Sequence, residues 1–379
     1  MPSLITSLDP EGLLEYSVVY TDRAVNHMSN KFKSAIHDLT NFLTEAYGAD
    51  HLLILPGSGT SGMEAVARQL GHHKKILCLR NGFFNYRWSQ IFAISKIAQE
   101  EKVLLAKTDD AQTSYPAYSP ANLEEVCAVI EKEKPDLVCA THVETSSGIE
   151  LSEEYIYQVA ESTHKAGGLL ILDCIASGAT LINMKKLGVD VVTSAPQKNW
   201  SSSPGCALVL LNNKALEQVK KTQSDSFALD LNAWRTVMEA YEQGSQAYYT
   251  TLPTDIIVRL RDAVWEAKKL GFTYLKEQQQ ALGVKIKHLL KDKGVHLVAA
   301  EKWASNTILV AYADQPNIQN GTAFSKHGVQ VAAGVPLKCN EPANFSTFRL
   351  GLIGIDKLLN IERTARLFGE VLDKVISHD

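Results

Sequence analysis

The chain has 379 residues, 45% hydrophobic and 21% charged, with a formal net charge of −4 at pH 7, so it can bury a large core and is long enough for two domains. The absence of a long basic block argues against nucleic-acid binding, and the absence of an uninterrupted apolar run of about 18 residues argues against a membrane span. The opening MPSLITSLDPEG has neither a basic n-region nor a long apolar h-region, so no signal peptide is read and the cytoplasm is the expected compartment.

Residues 1–32 are irregular and polar, with Asp9-Pro10-Glu11-Gly12 as a turn signal. Apolar residues at Phe32, Ile36, Leu39, Phe42 and Leu43 predict a helix over 32–47. After Gly48 the pattern runs strand, glycine turn, helix: an apolar run at 51–55, then Pro56-Gly57-Ser58-Gly59-Thr60-Ser61-Gly62, then a helix over 63–70. Further strands are predicted at 75–79, 103–106, 136–141, 169–173, 189–193 and 206–211, with helical patterns in most of the gaps. Such alternation indicates an α/β chain with a largely parallel sheet. From 254 to 293 the pattern is helical apart from a break near Gly271, and this stretch marks a boundary. Beyond it, strands at 295–298, 307–310 and 348–352 and helices at 318–327 and 356–376 are expected. The expected organisation is an N-terminal segment 1–32, a large domain 33–254 and a smaller α+β domain 255–379.

Cys78, Cys127, Cys139, Cys174, Cys206 and Cys339 form no CxxC pair, and most sit in or beside strand-like runs, as reduced core residues do. Cys339, in a polar loop, keeps a second reading as a reactive thiol. No HExxH occurs, and the adjacent His72 and His73 would point apart on a helix or a strand, so no metal site is expected.

The chemistry gathers between residues 169 and 205. One apolar run ends at Asp173, and a second, 189–192, is followed by Lys198 in a polar turn bounded by Pro196 and Pro204. If the two strands are parallel neighbours joined by a crossover, both charges lie on the edge of the sheet where open α/β folds bind ligands. A lysine able to form a Schiff base and an acid able to keep a ring nitrogen protonated are what pyridoxal phosphate requires. On these two residues alone, a helix-capping Asp173 and a surface loop Lys198 are the plainer description.

The glycine turn has three readings. Gly57-x-Gly59-x-x-Gly62 between strand and helix fits a dinucleotide fingerprint, which calls for an acid roughly 20 residues on; the next strand ends at Arg80 instead, an arrangement compatible with a 2′-phosphorylated nicotinamide cofactor and a dehydrogenase. It also fits a monophosphate at the helix start, held by Ser58, Gly59 and Thr60. The third reading is a capped helix that needs glycine only for its backbone. No Gly-Lys-Ser/Thr follows, which excludes a P-loop.

Several stretches together resemble the class V aminotransferases of the fold-type I pyridoxal phosphate superfamily, with the nearest likeness to the branch acting on alanine and glyoxylate, serine and pyruvate, or 2-aminoethylphosphonate. They are LPGSGTSGMEAV (55–66), RNGFFNYRW (80–88), THVETSSGI (141–149), LLILDCIASGA (169–179), SAPQKNWSSSPG (194–205), YYTTLP (248–253) and FRLGLIG (348–354), in family order over most of the chain. The resemblance implies a large domain with a mainly parallel seven-stranded sheet, a smaller C-terminal α+β domain, pyridoxal 5′-phosphate as cofactor, and transfer of an amino group from a small amine or amino acid to a 2-oxo acid such as pyruvate or glyoxylate. It implies Lys198 as the Schiff-base lysine and Asp173 as the partner of the ring nitrogen. Ser58, Gly59, Thr60 and Gln197 would surround the phosphate, Phe84 and Ile175 would cover the two ring faces, and Thr145 would approach the ring hydroxyl. Tyr248 and Thr251 would reach the phosphate from the neighbouring subunit of a homodimer. Arg349, turned away from Phe348 and Leu350 if 348–352 is a strand, would hold the substrate carboxylate.

Read without the family, Phe84 and Ile175 are ordinary core residues, Thr145 a turn residue, Tyr248 and Thr251 part of a loop within one subunit, and Arg349 half of a surface ion pair. The chain also departs from its relatives. Asp9-Pro10-Glu11-Gly12 stands where many have a Gly-Pro-Gly-Pro-like stretch, and Asn26-His27-Met28-Ser29 has Met28 where some have arginine. Gln197 precedes the lysine where desulfurases and lyases of the superfamily commonly place histidine. These departures bear on substrate identity rather than on the cofactor.

Overall fold

The fold is described by a computed structural model covering residues 4–108 and 113–376; the outermost residues of the expected N- and C-terminal parts lie outside the described residues. The main sheet is formed by β1 (His51–Pro56), β2 (Lys75–Arg80), β3 (Glu100–Leu105), β4 (Leu137–Thr141), β5 (Leu169–Asp173), β6 (Val191–Ser194) and β7 (Cys206–Leu211). Their spatial order is β1-β7-β6-β5-β4-β2-β3. All neighbours pair in parallel except β7, which runs antiparallel to both β1 and β6. The central strands are apolar and buried along their length, as expected for a sheet covered on both faces.

The covering helices include α1 (Asn30–Tyr47), α2 (Gly59–Leu70), α3 (Phe83–Ser95), α4 (Leu123–Glu133), α5 (Glu153–Lys165), α6 (Met184–Leu187), α7 (Pro196–Asn199), α8 (Asn213–Lys221) and α9 (Leu231–Glu242). The predicted helix at 32–47 is α1, started by the Ser29 side chain, which accepts the Phe32 N–H, and stopped by Gly48 in the left-handed region. The predicted break near Gly271 separates α10 (Thr254–Leu270) from α11 (Phe272–Asp292).

A second sheet, fully antiparallel, is formed by β8 (Ile308–Tyr312), β9 (Ala332–Ala333) and β10 (Thr347–Gly351), with β10 in the middle. The expected strand at 295–298 is not a strand: Leu297 and Ala299 form single bridges to Ala311 and Tyr118, because the chain crosses between partners rather than running beside one. The expected helix at 318–327 is two short turns, Pro316–Gln319 and Thr322–Ser325, split where Gly321 takes φ of 80°. The last helix is likewise divided, into Ile355–Leu358 and α12 (Ile361–Ile376). No described helix is long and apolar enough to cross a membrane.

Candidate active site

Asp173 is the last residue of β5 and pairs in register with Thr141 on β4 and Thr193 on β6. Lys198 lies just past β6, on the single turn α7. The premise of parallel neighbours therefore holds, and both side chains line one cavity of about 240 Å³ at the carboxyl edge of the sheet. That cavity is also lined by Ser58, Gly59, Thr60, Met63, Phe84, Arg87, Thr141, Val143, Thr145, Ile175, Ala176 and Gln197.

Local structure aims each of these groups. Gly57, at φ of 121°, makes the bend after β1 that turns the chain into α2, and its N–H donates to the Gly205 carbonyl at 3.0 Å. A Cβ at Gly59 would collide with Ile175 Cδ1, so glycine there lets the start of α2 and the second residue after β5 close on each other. Behind Lys198, Asn199 ties α7 to the end of β5: its Nδ2 donates to the Cys174 carbonyl at 2.6 Å, and its Oδ1 accepts the Gly178 N–H at 2.8 Å. The lysine ammonium then stands 5.3 Å from the centre of the Phe84 ring.

Phe84 is held from an unexpected direction. The first backbone N–H groups of α3 have no acceptor in their own segment, since the N-cap is Gly82. Glu144 Oε1 accepts the Phe84 N–H at 3.1 Å and Oε2 the Asn85 N–H at 3.0 Å, while Ser146 Oγ accepts that of Phe83 at 2.7 Å. Ser146 in turn donates its hydroxyl to Glu144 at 2.7 Å. A fully buried carboxylate thus caps the positive end of a helix some 60 residues away in sequence.

Burial governs the electrostatics. Asp173 is 4% exposed, and the hydrogen bond it receives from Ile175 N–H at 2.9 Å, together with the charge of Lys198, offsets only part of its desolvation. Its carboxyl is pushed up to about 6. Desolvation moves Lys198 the opposite way, below the ordinary lysine value, against the attraction of Asp173. Arg349 is also lowered by burial.

The model of the class-V aminotransferase family matches residues 10–352. The chain belongs to that family. This aminotransferase is 25% identical to alanine–glyoxylate aminotransferase 1 of Saccharomyces cerevisiae over 332 residues, 82% of each chain. It is 26% identical over 336 residues to a protein named as the small subunit of a soluble hydrogenase from Synechococcus, covering 87% of this chain and 83% of that one. A crystal structure of alanine–glyoxylate aminotransferase from Nostoc superposes with a TM-score of 0.77 at 21% identity, over 93% of this chain and 89% of the other. The fold is the fold-type I architecture of the pyridoxal-phosphate-dependent transferases, and enzymes of this family transfer amino groups with that cofactor.

Of the residues singled out in the aminotransferase sequence, Ser58, Gly59, Thr60, Phe84, Thr145, Asp173, Ile175, Gln197 and Lys198 share the cavity. Arg349 stands beside it, in the middle strand of the second sheet. Its neighbours Phe348 and Leu350 are buried, its Nε donates to the Ala333 carbonyl at 2.8 Å, and its Cζ lies 5.7 Å from the centre of the Phe84 ring. Tyr248 and Thr251 do not line the cavity; Tyr248 is 53% exposed, and its hydroxyl lies 3.1 Å from that of Thr251. Arg80 does not face the cavity as a 2′-phosphate partner would: its Nη2 donates to Ser89 at 2.6 Å and its Cζ lies 4.7 Å from the Tyr86 ring centre. Cys339 is buried, its Sγ donates to the Arg80 carbonyl at 3.3 Å, and burial pushes the thiol up to about 12, so a reactive thiolate is disfavoured there.

Two residues were missed within segments that were quoted. Arg87 lines the cavity, with Nη1 donating to Thr60 Oγ1 at 3.0 Å and Cζ 4.7 Å from the Phe84 ring centre. Its position three residues after Phe84, on one face of α3, is the signal that was available. Glu144 carried no such signal, because its partners are remote in sequence.

Proposed function

We propose that this chain binds pyridoxal 5′-phosphate and moves an amino group from a small amine or amino acid to a 2-oxo acid such as pyruvate or glyoxylate. The observation that carries the reading is the pairing of Asp173 with Lys198 in one cavity at the ends of neighbouring parallel strands. The residues suit the cofactor on their own chemistry. A carboxylate whose charge is disfavoured by burial gains from a cationic ring nitrogen. The close approach of Gly59 to Ile175 shapes one side of the cavity, and Phe84 offers an aromatic face.

The bound cofactor supplies an electron sink conjugated with the substrate carbon. Lys198 would hold the cofactor through its aldehyde and, as a free amine, would serve as the base that moves the substrate proton. Its lowered pKa favours the neutral amine needed for both tasks. Asp173 would keep the ring nitrogen protonated, Thr145 would serve the ring hydroxyl, and Ser58, Gly59, Thr60 and Gln197 would hold the phosphate. Arg349 takes the substrate carboxylate through two parallel hydrogen bonds.

Two further features belong to this reading. The enzyme is a homodimer whose Tyr248 and Thr251 complete the phosphate site of the partner, in keeping with their exposure outside their own cavity. The chain divides into the N-terminal segment 1–32, a large domain 33–254 and a small domain 255–379, a division supported by the separate sheets of 51–211 and 308–351. Its six free thiols are in keeping with a reducing cytoplasm.

The test is reductive trapping. The purified protein should be yellow, and borohydride should fix the cofactor to the peptide containing Lys198. Lys198→Ala should retain some cofactor while turnover falls by roughly 100- to 10,000-fold. A panel of amines scored by loss of the aldehyde absorption then identifies the donor. A colourless protein that binds no pyridoxal phosphate would refute the reading.

A further inference from the structure

The residues assigned to the phosphate share one property: Ser58, Gly59, Thr60, Gln197, Tyr248 and Thr251 are all uncharged. A phosphate ester carries close to two negative charges at neutral pH, and enclosing it among neutral donors leaves that charge uncompensated. The start of α2 supplies roughly half a unit of positive charge. More is needed, and it must come from the same cavity.

Three cations stand around Phe84. Lys198 is committed to the aldehyde end of the cofactor and is drawn to Asp173. Arg349 is anchored on Ala333 in the second sheet and is assigned to the substrate. Arg87 differs from both. It is bound to Thr60, a residue of the phosphate turn, at 3.0 Å, and among the described residues no carboxylate lies within ion-pair distance of it. Its guanidinium also lies over the Phe84 ring, 4.7 Å from its centre, and only Nη1 is engaged by Thr60.

The geometry points to Arg87 as the cation that binds the cofactor phosphate, with Thr60 holding the guanidinium in place for it. This assignment rests on the proposed pyridoxal phosphate site and adds to it a charged member that the sequence resemblance did not name. Guanidinium suits the task because its fork of donors can serve Thr60 and two phosphate oxygens together. Arg87 is then a cofactor-binding residue, and its loss should be felt by ligands in proportion to the charge they carry at the phosphate end.

The experiment compares pyridoxal 5′-phosphate with pyridoxal, which lacks the phosphate, in absorbance titrations of the cofactor-free wild type, Arg87→Ala and Arg87→Lys. The alanine variant should bind pyridoxal 5′-phosphate roughly 30-fold more weakly or worse, with pyridoxal affinity changed by less than about threefold, so that the wild-type preference for the phosphate ester collapses. Lysine should restore part of that preference, since it keeps a charge but not the fork. Inorganic phosphate should raise the melting temperature of the wild type and not of Arg87→Ala.

Equal weakening of both ligands would overturn the assignment and make Arg87 a support for the Phe84 wall. Unchanged affinity for both would overturn it as well. If Arg87→Ala does not fold, Arg87→Lys, which keeps the aliphatic stem over Phe84, decides the matter by the same ratio. A wild type that binds neither ligand would instead refute the cofactor reading itself, and the role of Arg87 with it.

Discussion

Burial displaces the titrations of Asp173 and Lys198 toward each other, raising the acid to about 6 and lowering the amine. Burial thus disfavours the charged form of each group, and each gains when a ligand provides a compensating charge or bond. Between about pH 4 and 6 the folded chain binds a proton at Asp173 that the unfolded chain has already released, so this residue's contribution falls as pH rises through that window. By pH 7 the penalty is about 3 kcal/mol. Asp173→Asn should therefore raise the melting temperature of the cofactor-free protein at pH 7, with the gain shrinking toward pH 4, while abolishing efficient turnover. A melting temperature lowered at both pH values would contradict this.

Arg349→Ala should leave the cofactor's absorption intact and weaken binding of the 2-oxo acid by roughly 2–5 kcal/mol. Arg349→Lys should recover only part, since one ammonium cannot replace the guanidinium fork. Single-turnover kinetics of the two half-reactions separate the donors: damage confined to the acceptor half indicates a donor without a carboxylate, and damage to both indicates an amino acid. Unaltered kinetics in both halves would place the carboxylate elsewhere.

Glu144→Gln keeps the shape of the α3 cap but replaces one acceptor oxygen by an NH₂ group, leaving either the Phe84 or the Asn85 N–H without its partner. The cost should be about 1–3 kcal/mol of stability, read as a shift of the denaturation midpoint, and cofactor should dissociate faster as the Phe84 wall loosens. Ser146→Ala should behave similarly and more mildly. An unshifted midpoint for Glu144→Gln would mean that α3 forms without this cap.

The proposed sharing of sites between subunits is testable by mixing. A Lys198→Ala homodimer and a Tyr248→Phe/Thr251→Ala homodimer should each be impaired. In a hybrid of the two, one site has both an intact Lys198 and an intact Tyr248–Thr251 pair, so activity should reappear on joint refolding. No gain over the separate variants would show that the loop at 248–251 serves its own subunit.

Much of this was legible in the chain because the relevant signals are local. Gly57-x-Gly59 reports its own backbone geometry, and Asp173 and Lys198 announce themselves by ending or following apolar runs. Glu144 could not be read, since its function depends on two amide groups, of Phe84 and Asn85, that arrive from another segment. Arg87 could be placed on the face of α3 shared with Phe84, but not in a cavity. The missed breaks at Gly321 and after Leu358 have a related cause: an apolar periodicity shows which side of a segment is buried without showing that the segment stays one helix. The misassigned strand at 295–298 had the right composition, but its pairing with 310–312 stops at the single bridge of Leu297 to Ala311 before the chain turns to Tyr118.

β7, the one antiparallel strand of the main sheet, governs the order in which the molecule assembles. β1 sits at the edge of its sheet and pairs only with β7, which leaves the ribosome roughly 150 residues later. Until then β1 has no partner strand, and the turn at Gly57 has no Gly205 carbonyl to fasten to. The two rims of the cavity, one from the start of α2 and one from α7, are therefore brought together among the late steps of synthesis. A nascent chain truncated before Cys206 should capture no cofactor, and the appearance of cofactor absorbance during refolding should trail the recovery of helical signal and mark closure of the sheet.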